Sequence, residues 1–394
     1  GSFLRIYDLG TESIWPDAAA SINLSTKGVT AIIQGAPHQN HPPLYFIVLH
    51  FWMGLFGTSE VATRSLSAIF GIISMLLIYQ VGSTLFNRRV GLISSLLSAI
   101  SCYHIYYSQE VRSYSLLLLL SILSYLFFIK ILKGGEKIWY YPCYFGTNLF
   151  LGYTHFYGLL IIISQILFIV LFWNKYKWQR AKLLSTFLVT IMALLPLVSF
   201  VTNRAAVLSE KGFWINEPQL RSIGATLKTF AGSGRGDQLL LLAFIILILF
   251  GLLAIRKLGG KWSWRKPVES LKGLKWSVRF ESIEEELLLI IWLSLSIIIP
   301  FIASKITTPI YYTRYMIGAS PAFYLLVARG MGNLSMKRVF YSVLILIVLL
   351  SSLGLQHYYR SDIRPQWREV ATLVEAYSMV DSDVIIFSPP YTES

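Results

Sequence analysis

The sequence predicts an all-α polytopic membrane protein, and three observations support this fold class. Of the 394 residues, 55% are hydrophobic and only 14% are charged. Apolar runs of 17 to 25 residues recur along the chain, which is the length that an α-helix needs to cross a bilayer. The basic residues gather in a few short segments between those runs. A chain with this pattern folds with lipid as most of its solvent.

The apolar runs predict ten membrane crossings, each bounded by charged or polar residues. They cover residues 62–86, 90–107, 113–132, 138–153, 156–173, 183–202, 239–255, 287–303, 315–332 and 339–355. The opening residues, "GSFLRIYDLG", start where a helix would be leaving the membrane. We therefore expect one further crossing to precede residue 1.

Successive loops between the crossings alternate between basic loops and loops without a basic excess. This alternation predicts the orientation of the chain in the membrane. Five segments hold 20 of the 34 Lys and Arg residues but six of the 20 acids: 87–89, 130–137, 174–182, 256–286 and 329–338. The positive-inside rule places them in the cytoplasm, and the other loops outside. The net charge of +14 is then explained by orientation, so nucleic acid is not expected as a partner.

Residues 41–57, "HPPLYFIVLHFWMGLFG", form an additional apolar stretch. If they spanned the membrane, every later loop would change sides and the basic loops would face outward. We favour a helix that lies along the outer membrane surface and starts after Pro42 and Pro43, since about 16 residues is marginal for a crossing. A spanning helix is the alternative.

Three regions follow from this topology. Residues 1–61 form a first external loop with surface-lying helices, 62–355 form the transmembrane domain, and 356–394 begin an external soluble domain. The last region reads as an amphipathic helix followed by one strand, "DVIIFS". Because one strand makes no sheet, we expect a small α/β domain that continues beyond Ser394. Cys102 and Cys143 lie in apolar segments and indicate neither a disulfide framework nor a thiol metal site.

Three predicted external segments bring ionisable side chains to one side of the membrane. They contain Asp17, His38 and His41 in the first loop, Tyr107, Gln109, Glu110 and Arg112 in "YSQEVRS", and Lys305, Arg314 and Tyr315 around "KITTPIYYTRYM". Charges at a membrane are costly and therefore mark functional positions. Carboxylates beside Arg and His suit a reaction that deprotonates an acceptor and stabilises an anionic leaving group.

Each of these residues also has a purely structural interpretation. Asp17 is alternatively the N-cap of the helix that "AAASINLSTKG" begins. Glu110 and Arg112 are alternatively a local ion pair. The remaining alternatives are a turn fixed by His41, polar packing of His155 in "GYTHFYG", and an interfacial anchor formed by Arg314 and Tyr315.

Several motifs in order resemble a known family. "SIWPDAAAS", "HPPLYF", the long run from "RSLSAIFG" to "YYSQEVRSYSL", and "YTHFYGL" are similar to the bacterial glycosyltransferases of the GT-C superfamily, in the family 39-like group with protein O-mannosyltransferases and aminoarabinose transferases. The resemblance covers residues 3–175 and returns faintly at "YYTRYMIGASPAFYLLVARG" and "QWREVATLV". It implies a multi-pass enzyme that transfers a sugar, usually with inversion, from a polyprenyl-phosphate carrier to a protein, lipid or glycan on the external face.

The resemblance also implies roles for individual residues. Asp17 matches the catalytic aspartate, expected to be the general base, and Glu110 matches an acidic position that assists the site or a metal. His41 matches a position that contacts the donor phosphate, and Arg112 and Arg314 are placed to do the same from neighbouring loops. The other residues that we expect to bind substrate are Tyr107, Gln109, His155 and Tyr315. A divalent metal held by Asp17 and Glu110 is left open, and the expected location is the bacterial inner membrane with a periplasmic site.

One position departs from the family. Relatives usually read Asp-Glu where this chain reads Asp17-Ala18, which removes a second carboxylate and puts metal binding or acceptor orientation in doubt. Three hypotheses follow: an active glycosyltransferase, a catalytically silent relative that binds a lipid-linked glycan, and a transporter or flippase. The third is disfavoured because the crossings carry few ionisable residues and no internal repeat is evident.

Overall fold

The chain is helical throughout the part that the structure describes, and no strand occurs there. The structure is a computed structural model that describes residues 1–36, 41–134, 137–198, 215–232, 236–253, 283–361 and 366–377. The predicted strand "DVIIFS", His38 and most of the basic loop 256–286 lie outside these residues. The two domain boundaries, after residues 61 and 355, remain predictions.

The first segment contains four short helices: α1 (Ser2–Ile6), α2 (Pro16–Ser25), α3 (Val29–Gly35) and α4 (Leu44–Phe56). Helix α4 is the apolar stretch that was a candidate crossing. Its 13 residues make a rod about 20 Å long, short of the roughly 30 Å hydrocarbon core. Its length therefore fits a helix that lies along the membrane surface.

Thirteen further helices and one 3-10 helix follow in the described ranges. They are α5 (Glu60–Leu85), α6 (Arg88–Ile100), α7 (Cys102–Ser108), α8 (Tyr114–Leu132), α9 (Tyr140–Thr154), α10 (Gly158–Leu171), α11 (Lys177–Leu194), α12 (Leu220–Ala231), α13 (Asp237–Leu253), α14 (Ile283–Ile306), the 3-10 helix (Thr313–Ala319), α15 (Ser320–Gly332), α16 (Lys337–Arg360) and α17 (Trp367–Tyr377). The described residues of each of the ten predicted crossings lie mainly on one of these helices or on two consecutive ones.

Four of the described helices, α5, α8, α14 and α16, are each long and apolar enough to cross a membrane. The pair α6 and α7 reaches the same length together, but it is bent by 62°. The predicted all-α fold with membrane-length helices is thereby confirmed, whereas the number of crossings stays a prediction.

Two predicted crossings differ from straight helices, for local reasons. In 90–107 the backbone of Ser101 is extended and its hydroxyl accepts a hydrogen bond from the His104 N–H at 3.2 Å, so Ser101 ends α6 and caps α7. In 315–332 the first turns form the 3-10 helix, and α15 starts only at Ser320. Pro321 suits a helix start because the missing N–H would have no partner in the first turn.

Helix α8 is the centre of the bundle and α16 lies at its periphery. Of the most apolar window of each helix, 72% is buried in α8 and 11% in α16. Buried polar side chains join α8 to its neighbours: Ser124 donates to Asn148 of α9 at 2.6 Å and accepts from Gln165 of α10 at 2.8 Å. Such bonds hold helices together in lipid. The central helix begins directly after the loop that carries Glu110 and Arg112.

Candidate active site

Asp17 lies in the first turn of α2, which begins at Pro16. The N-cap is Trp15 and no side chain caps the helix, so the interpretation of Asp17 as the N-cap is wrong. Its carboxylate instead faces Arg314, with 3.3 Å between Oδ2 and Nη1. The side chain of Asp17 is 32% exposed, so an incoming hydroxyl can still reach it.

Arg314 is carried by the 3-10 helix and contacts an aromatic wall. Its guanidinium carbon lies 4.8 Å from the ring centre of Tyr312, 5.5 Å from that of Tyr315 and 5.8 Å from that of Tyr114. Cation–π contacts of this kind orient a guanidinium while leaving its N–H groups available. The side chain is only 19% exposed, so it contacts the protein interior more than it anchors the helix at the interface.

Arg112 reaches the backbone beside Asp17. Its Nη1 donates to the carbonyl of Asp17 at 3.2 Å and to the hydroxyl of Ser21 at 3.1 Å. Glu110 and Arg112 are both buried, with 5% exposure each, and form no ion pair with each other among the described residues. The interpretation as a local ion pair is therefore wrong. Arg112 instead joins the α7–α8 loop to the first turn of α2.

His41 and His155 face each other beside the two arginines. Both rings are 3% exposed and their centres lie 4.9 Å apart. The ring of Tyr315 is 5.1 Å from His155 and 6.1 Å from His41. The backbone N–H of Tyr157 donates to His155 Nδ1 at 3.1 Å. The neutral ring of His155 therefore carries its proton on Nε2.

Both histidines are neutral at physiological pH. Burial, followed by the positive charges of Arg112 and Arg314, lowers the pKa of His155 from its ordinary 6.5 to about 3. Burial, followed by the charges of Arg112, His155 and Arg314, lowers the pKa of His41 well below 6.5. At this position the two rings act as neutral hydrogen-bonding groups, and the arginines supply the positive charge.

Four buried polar atoms around this point have no hydrogen-bond partner among the described residues. They are His41 Nδ1, His155 Nε2, the Tyr114 hydroxyl and Arg112 Nε. Leaving such a group without a partner costs about 1–3 kcal/mol. Several of them together, beside two arginines, indicate a site for an anionic ligand rich in oxygen. Tyr114 was not among the predicted site residues, although it follows Arg112 by two positions and starts the central helix.

Two predicted binding residues have other surroundings. The Gln109 amide donates to the carbonyl of Tyr7 at 2.9 Å, and its oxygen accepts from the Tyr358 hydroxyl at 2.5 Å. Gln109 thus faces α1 and α16 and lines a cavity of about 150 Å³ there. The ring of Tyr107 packs 5.0 Å from that of Tyr114, behind the aromatic wall. Lys305 forms an exposed pair with Glu217.

No group of three or more His, Cys, Asp or Glu side chains that could hold a metal ion occurs in the described ranges. Asp17 and Glu110 alone are fewer ligands than a protein metal site normally has. The described donors therefore do not fit the metal site left open by the sequence, and no chemical step is assigned to a metal.

Ala18, the position at which the family resemblance predicts Glu, is 3% exposed and belongs to the apolar core. We expect Ala18→Glu to destabilise the protein by about 3 kcal/mol or more, because it buries a carboxylate among apolar side chains. Thermal unfolding in detergent measures this, with Ala19→Glu as the matched control, since Ala19 is exposed. A contrary result would be an Ala18→Glu variant that is as stable as the unsubstituted protein and transfers sugar faster. Position 18 would then be a place where this chain lacks a functional carboxylate, which would support the hypothesis of a catalytically silent relative.

The lowered pKa of His155 predicts an acid sensitivity. Unfolded chains bind a proton at this histidine below pH 6.5, whereas the folded protein does not until about pH 3. Stability is therefore lost as the pH falls below 6.5, by about 2 kcal/mol at pH 5 for each such histidine. We expect His155→Gln to reduce the drop in melting temperature between about pH 7.5 and about pH 5. An unchanged drop would contradict the neutral buried state.

The chain is similar to several known proteins. Residues 40–203 match the family model described as dolichyl-phosphate-mannose-protein mannosyltransferase. No curated protein matches the chain significantly. Two solved structures of ArnT from Cupriavidus metallidurans are similar: the apo state has a TM-score of 0.60 at 14% identity, and the form bound to undecaprenyl phosphate has 0.57 at 13%.

These likenesses cover 92% and 90% of this chain but 63% and 62% of the ArnT chains, so the chain spans less than two thirds of their length. The archaeal oligosaccharyltransferase AglB from Archaeoglobus fulgidus, in complex with an inhibitory peptide and a dolichol-phosphate, has a TM-score of 0.51 at 13% identity, over 96% of this chain and 57% of that one. Identities this low show a shared fold. The shared fold and the match over residues 40–203 together confirm that the chain resembles the GT-C membrane glycosyltransferases, in the group with protein O-mannosyltransferases.

Proposed function

We propose that the protein is an inverting glycosyltransferase that moves a sugar from a polyprenyl-phosphate carrier to an acceptor hydroxyl on the external face of a bacterial inner membrane. The observation that carries this proposal is the set of buried, unbonded polar atoms beside Arg112 and Arg314, next to the reachable carboxylate of Asp17. The relatives that share the fold include one bound to undecaprenyl phosphate and one in complex with a dolichol-phosphate, which supports a lipid phosphate as the ligand.

The donor phosphate fits the unbonded atoms. Arg314 and Arg112 supply charge, and the Tyr114 hydroxyl and His155 Nε2–H supply neutral hydrogen bonds to its oxygens. A phosphodiester carries one negative charge and four oxygens, so it satisfies donors that otherwise remain unbonded in a buried place. Histidines held neutral avoid further positive charge at a site that already contains two arginines.

Asp17 is then the base. As the acceptor oxygen attacks the anomeric carbon, its proton passes to the Asp17 carboxylate, a new carbon–oxygen bond forms, and the bond from the anomeric carbon to the phosphate oxygen breaks. The bonding electrons leave with the phosphate, which departs as a dianion. Arg112 and Arg314 stabilise the charge that develops there. The phosphate is a good leaving group, so positioning, one base and cations are sufficient.

Glu110 is proposed as a second acid that assists the site from the α7–α8 loop. It is buried, two residues from Arg112, and its charge opposes that of Arg112 in its effect on the pKa of the Tyr45 hydroxyl of α4. We propose that Glu110 offsets part of the positive charge near α4 without a direct ion pair.

Tyr315 belongs to the aromatic wall that contacts Arg314, and Tyr107 supports that wall from behind through Tyr114. The assay will identify the acceptor as a protein, a lipid or a glycan.

The test is to incubate the purified protein with a panel of polyprenyl-phosphate sugars and to detect released polyprenyl phosphate by mass spectrometry. Release that depends on an acceptor supports the proposal. Tight binding without release would favour the silent relative, which the missing second carboxylate at Ala18 keeps as a second candidate. Movement of the intact lipid-linked sugar across a vesicle membrane, without transfer, would instead indicate a flippase.

A further inference from the structure

The short helix α7 connects two parts of the candidate site. It starts at the bend after Ser101 and runs directly into the loop that carries Glu110 and Arg112. It also contacts the 3-10 helix that carries Arg314. The two arginines come from segments about 200 residues apart, so something must fix their separation.

Two consecutive residues of α7 bind the two ends of that 3-10 helix. The Tyr103 hydroxyl donates to the carbonyl of Thr313 at 2.9 Å, where the 3-10 helix begins. His104 Nε2 lies 2.7 Å from the hydroxyl of Ser320, the residue directly after its end. Tyr103 is 3% exposed, and His104 and Ser320 are fully buried.

The hydrogen bonds of His104 have defined directions. The Ser320 hydroxyl donates its proton to the carbonyl of Ile317 at 2.7 Å, so it accepts from His104 Nε2–H. In the neutral ring Nδ1 is then the acceptor, and the Ser98 hydroxyl donates to it at 3.0 Å. Both ring nitrogens are satisfied, which fixes the ring between α6 and the 3-10 helix.

Other bonds hold the same segment against other helices. The Tyr157 hydroxyl donates to the carbonyl of Ile310 at 2.6 Å, and Trp292 Nε1 donates to that of Gly318 at 2.9 Å. The bonds made by Tyr103 and His104 differ from these two because their helix, α7, continues into the loop that carries Arg112. They therefore connect one arginine to the other through a partly buried bond from Tyr103, a buried bond from His104 and the seven-residue helix α7.

We infer that Tyr103 and His104 are positioning residues that set the separation of Arg112 and Arg314 and so the geometry of the phosphate site. This inference rests on the proposed function. Neither side chain needs to touch the substrate. A misplacement of about 1 Å can cost roughly 100-fold in rate. We therefore expect the loss of either bond to slow sugar transfer by displacing the phosphate-binding arginines.

The first experiment is a double-mutant cycle of Tyr103→Phe with Arg314→Ala, measured as kcat/KM for the polyprenyl-phosphate donor. We expect Tyr103→Phe to lower kcat/KM about 10-fold alone and less than about 2-fold when Arg314 is absent. The matched control is Tyr153→Phe, which also removes a hydroxyl bond to a carbonyl, that of Ala193 at 3.1 Å, between α9 and α11. Equal effects of Tyr103→Phe in both backgrounds would overturn the inference.

The histidine offers a rescue test in the same assay. His104→Phe removes both ring bonds and is expected to lower kcat/KM as Tyr103→Phe does. His104→Gln, whose amide can still donate to Ser320, is expected to keep most of the rate. Equal losses in the two variants would contradict positioning through the Ser320 bond.

The second experiment does not depend on activity. Hydrogen–deuterium exchange of the purified protein in nanodiscs reports the peptide that contains residues 313–319. We expect Tyr103→Phe to speed its exchange several-fold and Tyr153→Phe to leave it unchanged. If Tyr103→Phe leaves the exchange of this peptide unchanged, the inference is overturned even if transfer is never detected. If the unsubstituted protein shows no transfer but Tyr103→Phe speeds the exchange, only the proposed function is overturned.

Discussion

Asp17→Asn is expected to lower sugar transfer by about 10³-fold or more while leaving carrier binding nearly intact. The amide keeps the size of the carboxylate but cannot take the acceptor proton, and a positioned base contributes about 10²–10⁴ in rate. Arg314 loses its ion pair with Asp17 at 3.3 Å but keeps its positive charge, so it can still hold the donor phosphate. Single-turnover transfer and binding of polyprenyl phosphate measure the two effects separately.

The matched control for this change is Asp8→Asn. Asp8 is exposed in the same first segment and has a positive φ of 63°, a conformation that Asn tolerates as well as Asp does. The control therefore removes one negative charge from the same loop without new backbone strain. If Asp17→Asn transferred sugar at the rate of Asp8→Asn, Asp17 would not be the base.

Arg314→Ala is expected to weaken donor binding and to slow transfer together, by roughly 10²–10³-fold in kcat/KM. In the proposed reaction the guanidinium contacts two groups, the donor phosphate and the Asp17 carboxylate. The methyl group of alanine can bind neither of them. Arg314→Lys keeps the charge but loses the planar fork that contacts both groups, so we expect an intermediate loss of about 10-fold. Steady-state kinetics with varied donor concentration measure both variants.

Lys305→Ala is the control for Arg314. Lys305 lies at the end of α14 in the same predicted external region and forms an exposed pair with Glu217 at 2.7 Å. Such a pair contributes at most about 1 kcal/mol, so kinetics should stay near those of the unchanged protein. A similar loss in Lys305→Ala and Arg314→Ala would indicate a general effect of loop charge instead of a specific phosphate contact.

The helices were predictable because lipid imposes a simple rule on sequence. A run of apolar residues long enough to cross the membrane must be helical, since its backbone finds no water to bind. The bend at Ser101 and the 3-10 turns before Ser320 were not predicted. Each depends on one hydroxyl or one proline in an apolar run, and such local features barely change hydropathy.

The structure places the rings of His41, His155 and Tyr315 beside the charged residues that the sequence singled out, whereas Tyr114 was not among the predicted residues. Placing Asp17, Arg112 and Arg314 on one side of the membrane followed from topology, and the structure brings them together. Tyr114 was not predicted because it is the first residue of an apolar helix and so resembles an ordinary membrane-spanning residue. Gln109 was expected beside Glu110 in the site, but adjacent loop residues point in different directions, and its side chain faces α1 and α16.

The pair between Asp17 and Arg314 joins residues that are 297 positions apart. If Asp17 is the base on the external face, as proposed, it is exported early in synthesis, whereas Arg314 follows three of the four described membrane-length helices. An unfinished chain therefore holds a carboxylate with no phosphate site beside it. Catalytic competence would then arrive late in biogenesis, so a lipid-linked sugar would not be consumed by partly inserted protein.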